Sequence, residues 1–201
     1  IYEYIDGRNL YEESTKYSVF AMDSNDREGN VSKFKKFIAI VEKIFELVSY
    51  FHERDYIIHD IHPDNFIINQ DEEVFLIDIE MIYSFGDSFI PIQSEIALAS
   101  WNKLDGKVAD CYKLGNMILY LAGKFQVSTD FEKNISILEE ITYCFGLKTT
   151  IGKVLKYLFS PEANIKVAQK LLRELKVEIH QEETNLNFFQ MSPVVDFKGL
   201  S

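Results

Sequence analysis

The sequence predicts a mainly α-helical domain interrupted near its middle by one short β-hairpin. Three observations carry this. Apolar residues recur at helical spacing from Lys33 to about Arg54, and further helical runs follow from about Gly106 onward. Between them, "FII" and "VFLID" flank the polar "NQDEE", the spacing of two short strands joined as a hairpin.

In order along the chain, residues 1–5 are β-branched and aromatic, like part of a strand, and "DGRN" signals a turn before the short helical start "LYEE". Residues 22–32 are polar and rich in Gly and Asn, a predicted loop that Ser32 would end by capping the next helix. In that helix Phe34, Phe37, Ile38, Val41, Ile44, Phe45, Val48 and Phe51 share one face. "DYIIHDIHPDN" is too short and polar for another helix. Residues 83–104 lack periodicity and predict a long irregular segment. A helix is expected over about 106–123, with Val108, Cys111, Leu114, Ile118, Leu119 and Leu121 as its apolar positions. Others are expected at about 131–146, 148–159 and 161–178, the last starting at Pro161.

The chain has 201 residues, of which 47% are hydrophobic and 26% charged, enough to bury a sizeable core. Its net charge of −11, from 21 basic and 32 acidic residues, argues against nucleic acid as the main partner, because phosphate binding needs clustered Lys and Arg. The basic run "KFKK" at 33–36 reads as a solvated helix face, with an anion site as the alternative. No apolar run reaches the roughly 18–20 residues needed to cross a bilayer, and no signal-peptide pattern opens the chain. Cys111 and Cys144 sit in apolar helical patterns, so both are expected as buried free thiols of a reducing, cytoplasmic setting. The start at Ile1, in strand-like sequence, leads to the expectation of a fragment of a longer protein.

The chemistry concentrates in residues 57–80. Asp60 and Asn65 lie five apart with Pro63 stiffening the loop between them, and Asp78 follows at the end of the hairpin's second strand. A hairpin can return Asp78 to the side of Asn65. A carboxylate and an amide oxygen are hard ligands suited to Mg²⁺, which keeps several waters and shares its shell with substrate phosphates. Asp60 could then accept a proton from an attacking hydroxyl. The plainer alternative is that Asp and Asn merely favour turns.

"DIHPDN" resembles the catalytic loop of protein kinases, an Asp followed by four residues and then an Asn, and "DIE" at 78–80 stands where those enzymes have Asp-Phe-Gly. "YEYIDGRNL" is similar to the hinge between the two kinase lobes, "YFHERDYIIHD" to the end of the helix leading into the catalytic loop, and "KVADCYKLGNMILYL" to the helix whose Asp braces that loop. The matches span residues 1–125 in the right order. The resemblance implies a protein kinase-like C-terminal lobe, an α+β fold when its N-lobe is included. Residues 1–10 would be the hinge and end of the N-lobe, 11–180 the C-lobe, and 181–201 a tail or linker.

It further implies ATP and Mg²⁺ as cofactors. Asp60 would orient or deprotonate the acceptor hydroxyl, with His62 in support near a phosphate. Asn65 and Asp78 would hold the metal. Glu3, Tyr4 and Ile5 would offer backbone groups to adenine, and Asp6 would reach the ribose unless it is simply a turn residue. Asp110 would support the loop from beneath. No Gly-rich loop or strand Lys precedes Ile1, so these 201 residues alone are expected to be inactive and to bind ATP poorly.

There are departures. Ile58 and His59 stand where kinases have His and Arg, His62 where they have Lys, and Ile79-Glu80 where they have Phe-Gly. Without that Arg, switching by a phosphorylated activation loop is not expected. His59 and His62 could be metal ligands, but a variant catalytic loop is the simpler reading.

The Asp-x-Glu resembles the kinase domains of class III and IV lanthipeptide synthetases. These phosphorylate Ser and Thr of a precursor peptide before a lyase domain eliminates phosphate and a LanC-like cyclase adds Cys thiols. The expected partners are therefore a peptide substrate, the N-lobe, and such lyase and cyclase domains, with no nucleic acid and no membrane. The alternatives are a general Ser/Thr protein kinase, a small-molecule kinase of the aminoglycoside or choline type, and a pseudokinase module.

Overall fold

The apolar face from Phe34 to Val48 is realised as one side of α2 (Arg27–His52), around which the other elements are arranged. Phe37, Ile38, Val41, Ile44, Phe45 and Val48 are essentially inaccessible to solvent, and Phe51 packs at the edge of the same core. The computed structural model describes residues 5–19, 26–84, 106–123, 131–144 and 150–184. Within them the chain is mainly helical with two small antiparallel sheets.

α2 begins six residues earlier than its hydrophobic pattern suggests. Asp26, not Ser32, is its cap: its Oδ1 accepts from the Gly29 N–H at 2.9 Å, and the Asn30 N–H bonds the Asp26 carbonyl at 3.0 Å. Composition marked residues 26–32 as loop, but an acidic cap at the positive end of the helix outweighs the poor helix propensity of Gly29 and Asn30. "KFKK" therefore lies inside the helix, with Lys35 and Lys36 exposed.

The "DGRN" stretch also departs from expectation. Gly7–Asn9 form strand β1, antiparallel to β3 (Phe66–Asn69), rather than a turn. The pairing needs a glycine: a Cβ on Gly7 would stand 2.5 Å from the Ile67 side chain and from the Ile68 carbonyl oxygen. Asn9 then caps α1 (Leu10–Tyr17) by accepting from the Glu12 N–H at 2.8 Å.

β3 and β4 (Val74–Leu76) form the expected hairpin, in the register Phe66↔Leu76 and Ile68↔Val74. Asn69 organises its turn by accepting from the Asp71 and Glu73 N–H groups. Lys43 of α2 ties the tip down through the Glu72 carbonyl at 2.7 Å and the Glu73 carboxylate at 3.0 Å. A second pair joins β2 (Tyr56–Ile57) to β5 (Tyr83–Ser84), so the first two residues of the expected irregular segment form a strand.

α3 (Gly106–Gly123) has the bounds that its apolar pattern predicts, with Cys111, Leu114, Ile118, Leu119 and Leu121 fully buried. It packs against α1, α2 and α5 (Ile151–Leu158). Phe159 approaches α3 so closely that a Cβ on Gly115 would lie 2.7 Å from its ring. α4 (Phe131–Cys144) lies on α5, and α6 (Ile165–Thr184) on α2 and α5. Pro161 sits in the turn before α6 rather than at its start. Asn164 is the better cap, its Oδ1 accepting from the Lys166 N–H at 2.9 Å. α6 runs to Thr184, past the expected tail boundary at 181. The strand-like 1–4, most of the irregular segment, residues 185–201 and the Cys144 side chain lie outside the described residues. Among the described residues no helix is long and apolar enough to cross a membrane.

Candidate active site

The site forms where α2 ends and the chain turns back across α3. α2 stops at His52, and Asp55, at φ 59°, reverses the backbone. Lys107 on the first turn of α3 bonds both the His52 carbonyl at 2.8 Å and the Asp55 carboxylate at 2.6 Å, so helix end and helix start are tied together. β2 follows, then residues 58–62 cross above α3, and Pro63–Asn65 make a single 3-10 turn.

Asp110 lies beneath this crossing with no accessible surface. Its Oδ1 accepts from the His59 N–H at 2.8 Å. Its Oδ2 accepts from the Ile58 N–H at 2.8 Å and contacts His52 Nε2 at 3.0 Å. A carboxylate only accepts, so His52 carries its hydrogen on Nε2. A buried charge is costly unless fully bonded, and here three donors meet the two oxygens.

Lys113, one turn further along α3, bonds the His59 carbonyl oxygen, with His59 Nδ1 at 3.4 Å. Burial pushes the Lys113 ammonium below its ordinary value, while Asp110 and Asp60 pull it back up. Burial, then Lys113, push the His59 imidazole below its usual 6.5 against the pull of Asp110 and Asp60, so His59 is neutral at pH 7. The Tyr83 ring stands edge-on to it, centroids 6.1 Å apart.

Asp60 emerges from this clamp exposed to solvent. Asn65 reaches back to it, its Nδ2 donating to the Asp60 carbonyl at 3.0 Å and to Oδ2 at 2.8 Å. With Nδ2 so engaged, Oδ1 is the Asn65 atom with ligand chemistry. The Ile77 N–H bonds the Asn65 carbonyl at 2.8 Å, extending the hairpin register by one rung and delivering Asp78 beside the loop. Asp78 is exposed, adopts the left-handed conformation at φ 56°, and makes no capping bond to the 3-10 turn 79–81 that it precedes. Outside glycine such backbone costs on the order of 1 kcal/mol or more, and it clusters at functional sites. His59 at φ 62° is a second case, immediately before Asp60.

The structure thus gathers Asp60, Asn65 and the Asp78 strand end, with Asp110 below. His62 is exposed and pairs with Asp64, its Nδ1 3.1 Å from Oδ2. Ile5 and Asp6 lie just before β1, whose Gly7 pairs with Asn69 at the hairpin-tip end of β3. They are therefore separated from Asn65 by roughly 13 Å of strand. Glu3 and Tyr4 fall outside the described residues. No cluster of three or more His, Cys, Asp or Glu side chains among the described residues could hold a metal by itself, so His59 and His62 do not build one. Asn65 and Asp78 suit a cation that takes few protein ligands and completes its shell with water and phosphate, as Mg²⁺ does.

Lys113 and His52 were not singled out from the sequence. For Lys113 the available signal was its position three residues after Asp110, which puts both on one face of α3.

Over 97 aligned residues the chain is 29% identical to a protein of Acanthamoeba polyphaga mimivirus provisionally named as a serine/threonine-protein kinase. The similarity covers 43% of this chain and 34% of the relative, so the chain spans about a third of that protein's length. No family model matches the chain.

Proposed function

We propose that this chain carries the catalytic loop and metal-binding arm of an ATP- and Mg²⁺-dependent kinase that phosphorylates Ser or Thr hydroxyls of a peptide. The observation that carries the reading is the Asp60–Asn65 pair, joined through the Ile77–Asn65 rung to the strand end that bears Asp78. The kinase-like relative supports it in general terms.

Asn65 Nδ2 occupies Oδ2 of Asp60, so Oδ1 is the oxygen available to orient the acceptor hydroxyl and take its proton. Asn65 Oδ1 and the Asp78 carboxylate would hold the metal, which supplies charge neutralisation at the phosphates. Phosphoryl transfer asks a protein chiefly for such positioning and electrostatics. Ile5 and Asp6, at the far end of β3, are separated from the metal-binding end by a length suited to an extended nucleotide. The neutral His59 leaves Lys113 as the cation that acts on Asp60 from beneath.

Substitution of Asp60 by Asn in the full-length protein should lower the rate of phosphoryl transfer from ATP to a Ser/Thr peptide about 100-fold or more and leave nucleotide binding nearly unchanged. A parental rate would remove Asp60 from the mechanism. The finer assignment to lanthipeptide maturation rests on Glu80, exposed two residues after Asp78. Mass spectrometry of a Ser/Thr- and Cys-containing precursor peptide would have to show phosphorylation before loss of water. A small-molecule acceptor is the second reading, favoured by the net charge of −11, which suits a cationic substrate. Transfer to an aminoglycoside or choline but not to peptide would select it.

A further inference from the structure

The peptide unit between His59 and Asp60 is held at both ends. Its N–H, that of Asp60, donates to the Ile58 carbonyl at 2.7 Å and closes a tight turn about the left-handed His59. Its carbonyl oxygen, that of His59, accepts from Lys113 Nζ. The preceding unit is held by Asp110, which takes the His59 N–H at 2.8 Å. Asp110 and Lys113 are one helical turn apart on α3, so a single rigid face grips both peptides that flank His59. The direction in which the Asp60 side chain leaves the backbone follows from that grip.

We propose that Lys113 is a positioning residue for Asp60, fixing the orientation of its carboxylate through the His59 carbonyl and placing a positive charge beneath it. This rests on the kinase reading of Asp60. Asp110 alone cannot do the work, because it binds only N–H groups and does not reach the His59 carbonyl, which Lys113 holds. A lysine bearing only a structural bond would not need to be an ammonium partly withdrawn from water, which is costly. Here the cost is offset by one carbonyl and by the fields of Asp110 and Asp60.

The test uses the full-length protein with radiolabelled ATP, Mg²⁺ and dephosphorylated casein as acceptor. Lys113→Met, which keeps the aliphatic stem, should lower kcat about 10- to 100-fold while the KM for ATP moves by no more than about twofold. Lys113→Arg, which restores a cationic donor, should recover most of the loss. If Lys113→Met melts below the assay temperature, Lys113→Gln and Lys113→Arg carry the same comparison. In parallel, the His59 imidazole followed by NMR should titrate at a higher pH in Lys113→Met than in the parent. It faces Lys113 and Asp110 of α3, Asp60 of its own loop and Tyr83 of β5, and only the ammonium among them opposes its protonation by charge. Parental kcat in Lys113→Met or Lys113→Gln, or an unmoved His59 titration, would overturn the proposal. With Asp60→Asn inactive in the same assay, that result sinks the role of Lys113 alone. An active Asp60→Asn instead sinks the kinase reading beneath it.

Discussion

The underside and the rim of the candidate catalytic loop are built on opposite terms. Beneath, Asp110 and His52 are buried and every oxygen of the carboxylate is bonded. Above, Asp60, Asp78 and His62 are exposed, and Asp78 makes no capping bond. The buried charge fixes where the loop runs. Asp60 keeps one carboxylate oxygen unbonded and Asp78, in left-handed backbone, caps nothing, which is what groups need if their partners are to arrive with a substrate. A carboxylate's role in this site therefore follows from its burial and bonding rather than from its residue type.

If that division holds, damage to the underside should appear first as lost stability. Asp110→Ala leaves His52 and two backbone N–H groups without their acceptor and should cost about 3–5 kcal/mol in urea unfolding. Asp110→Asn, which keeps one acceptor oxygen, should cost less. A loss under about 1 kcal/mol for the alanine variant would mean that the loop does not depend on the clamp. Seating of the helix that bears the clamp comes next. Gly115→Ala drives a methyl into the Phe159 ring and should cost about 1–3 kcal/mol, read as a lower Tm.

Smaller still is the effect of pH. His59 has a folded pKa below its ordinary 6.5, so the unfolded chain takes up a proton first as pH falls. The stability gained by keeping it neutral is complete above pH 6.5 and is lost as pH drops through the folded pKa. His59→Gln should remove that part of the acid destabilisation, measured as a smaller difference between unfolding at pH 7.5 and pH 5.5. An unchanged difference would exclude His59 as its source. Smallest is Lys43→Ala, which frees the hairpin tip and should cost about 0.5 kcal/mol without altering the loop.

Much of this arrangement was legible in the sequence. The period of Phe34 to Val48 located α2, and "FII…VFLID" located the hairpin that carries Asp78 back to Asn65. Helix ends were less legible, because Asp26 and Asn164 act through side-chain bonds that an apolar pattern does not record. Strand β1 was hidden in "DGRN": turn-type residues serve as a strand when a glycine allows close approach to a partner 60 residues away. Within the site, the spacing of Asp60, Asn65 and Asp78 was readable, whereas the pairing of His62 with Asp64 and the reach of Lys113 to His59 depend on the fold.

The most direct test of the central claim is Asp78→Asn in the full-length protein, assayed for ATP- and Mg²⁺-dependent phosphorylation with unfolding followed on the same sample. Asp78 is exposed and makes no capping bond, so the substitution should leave the melting transition in place while phosphoryl transfer disappears. Parental turnover by a folded Asp78→Asn protein would contradict the account.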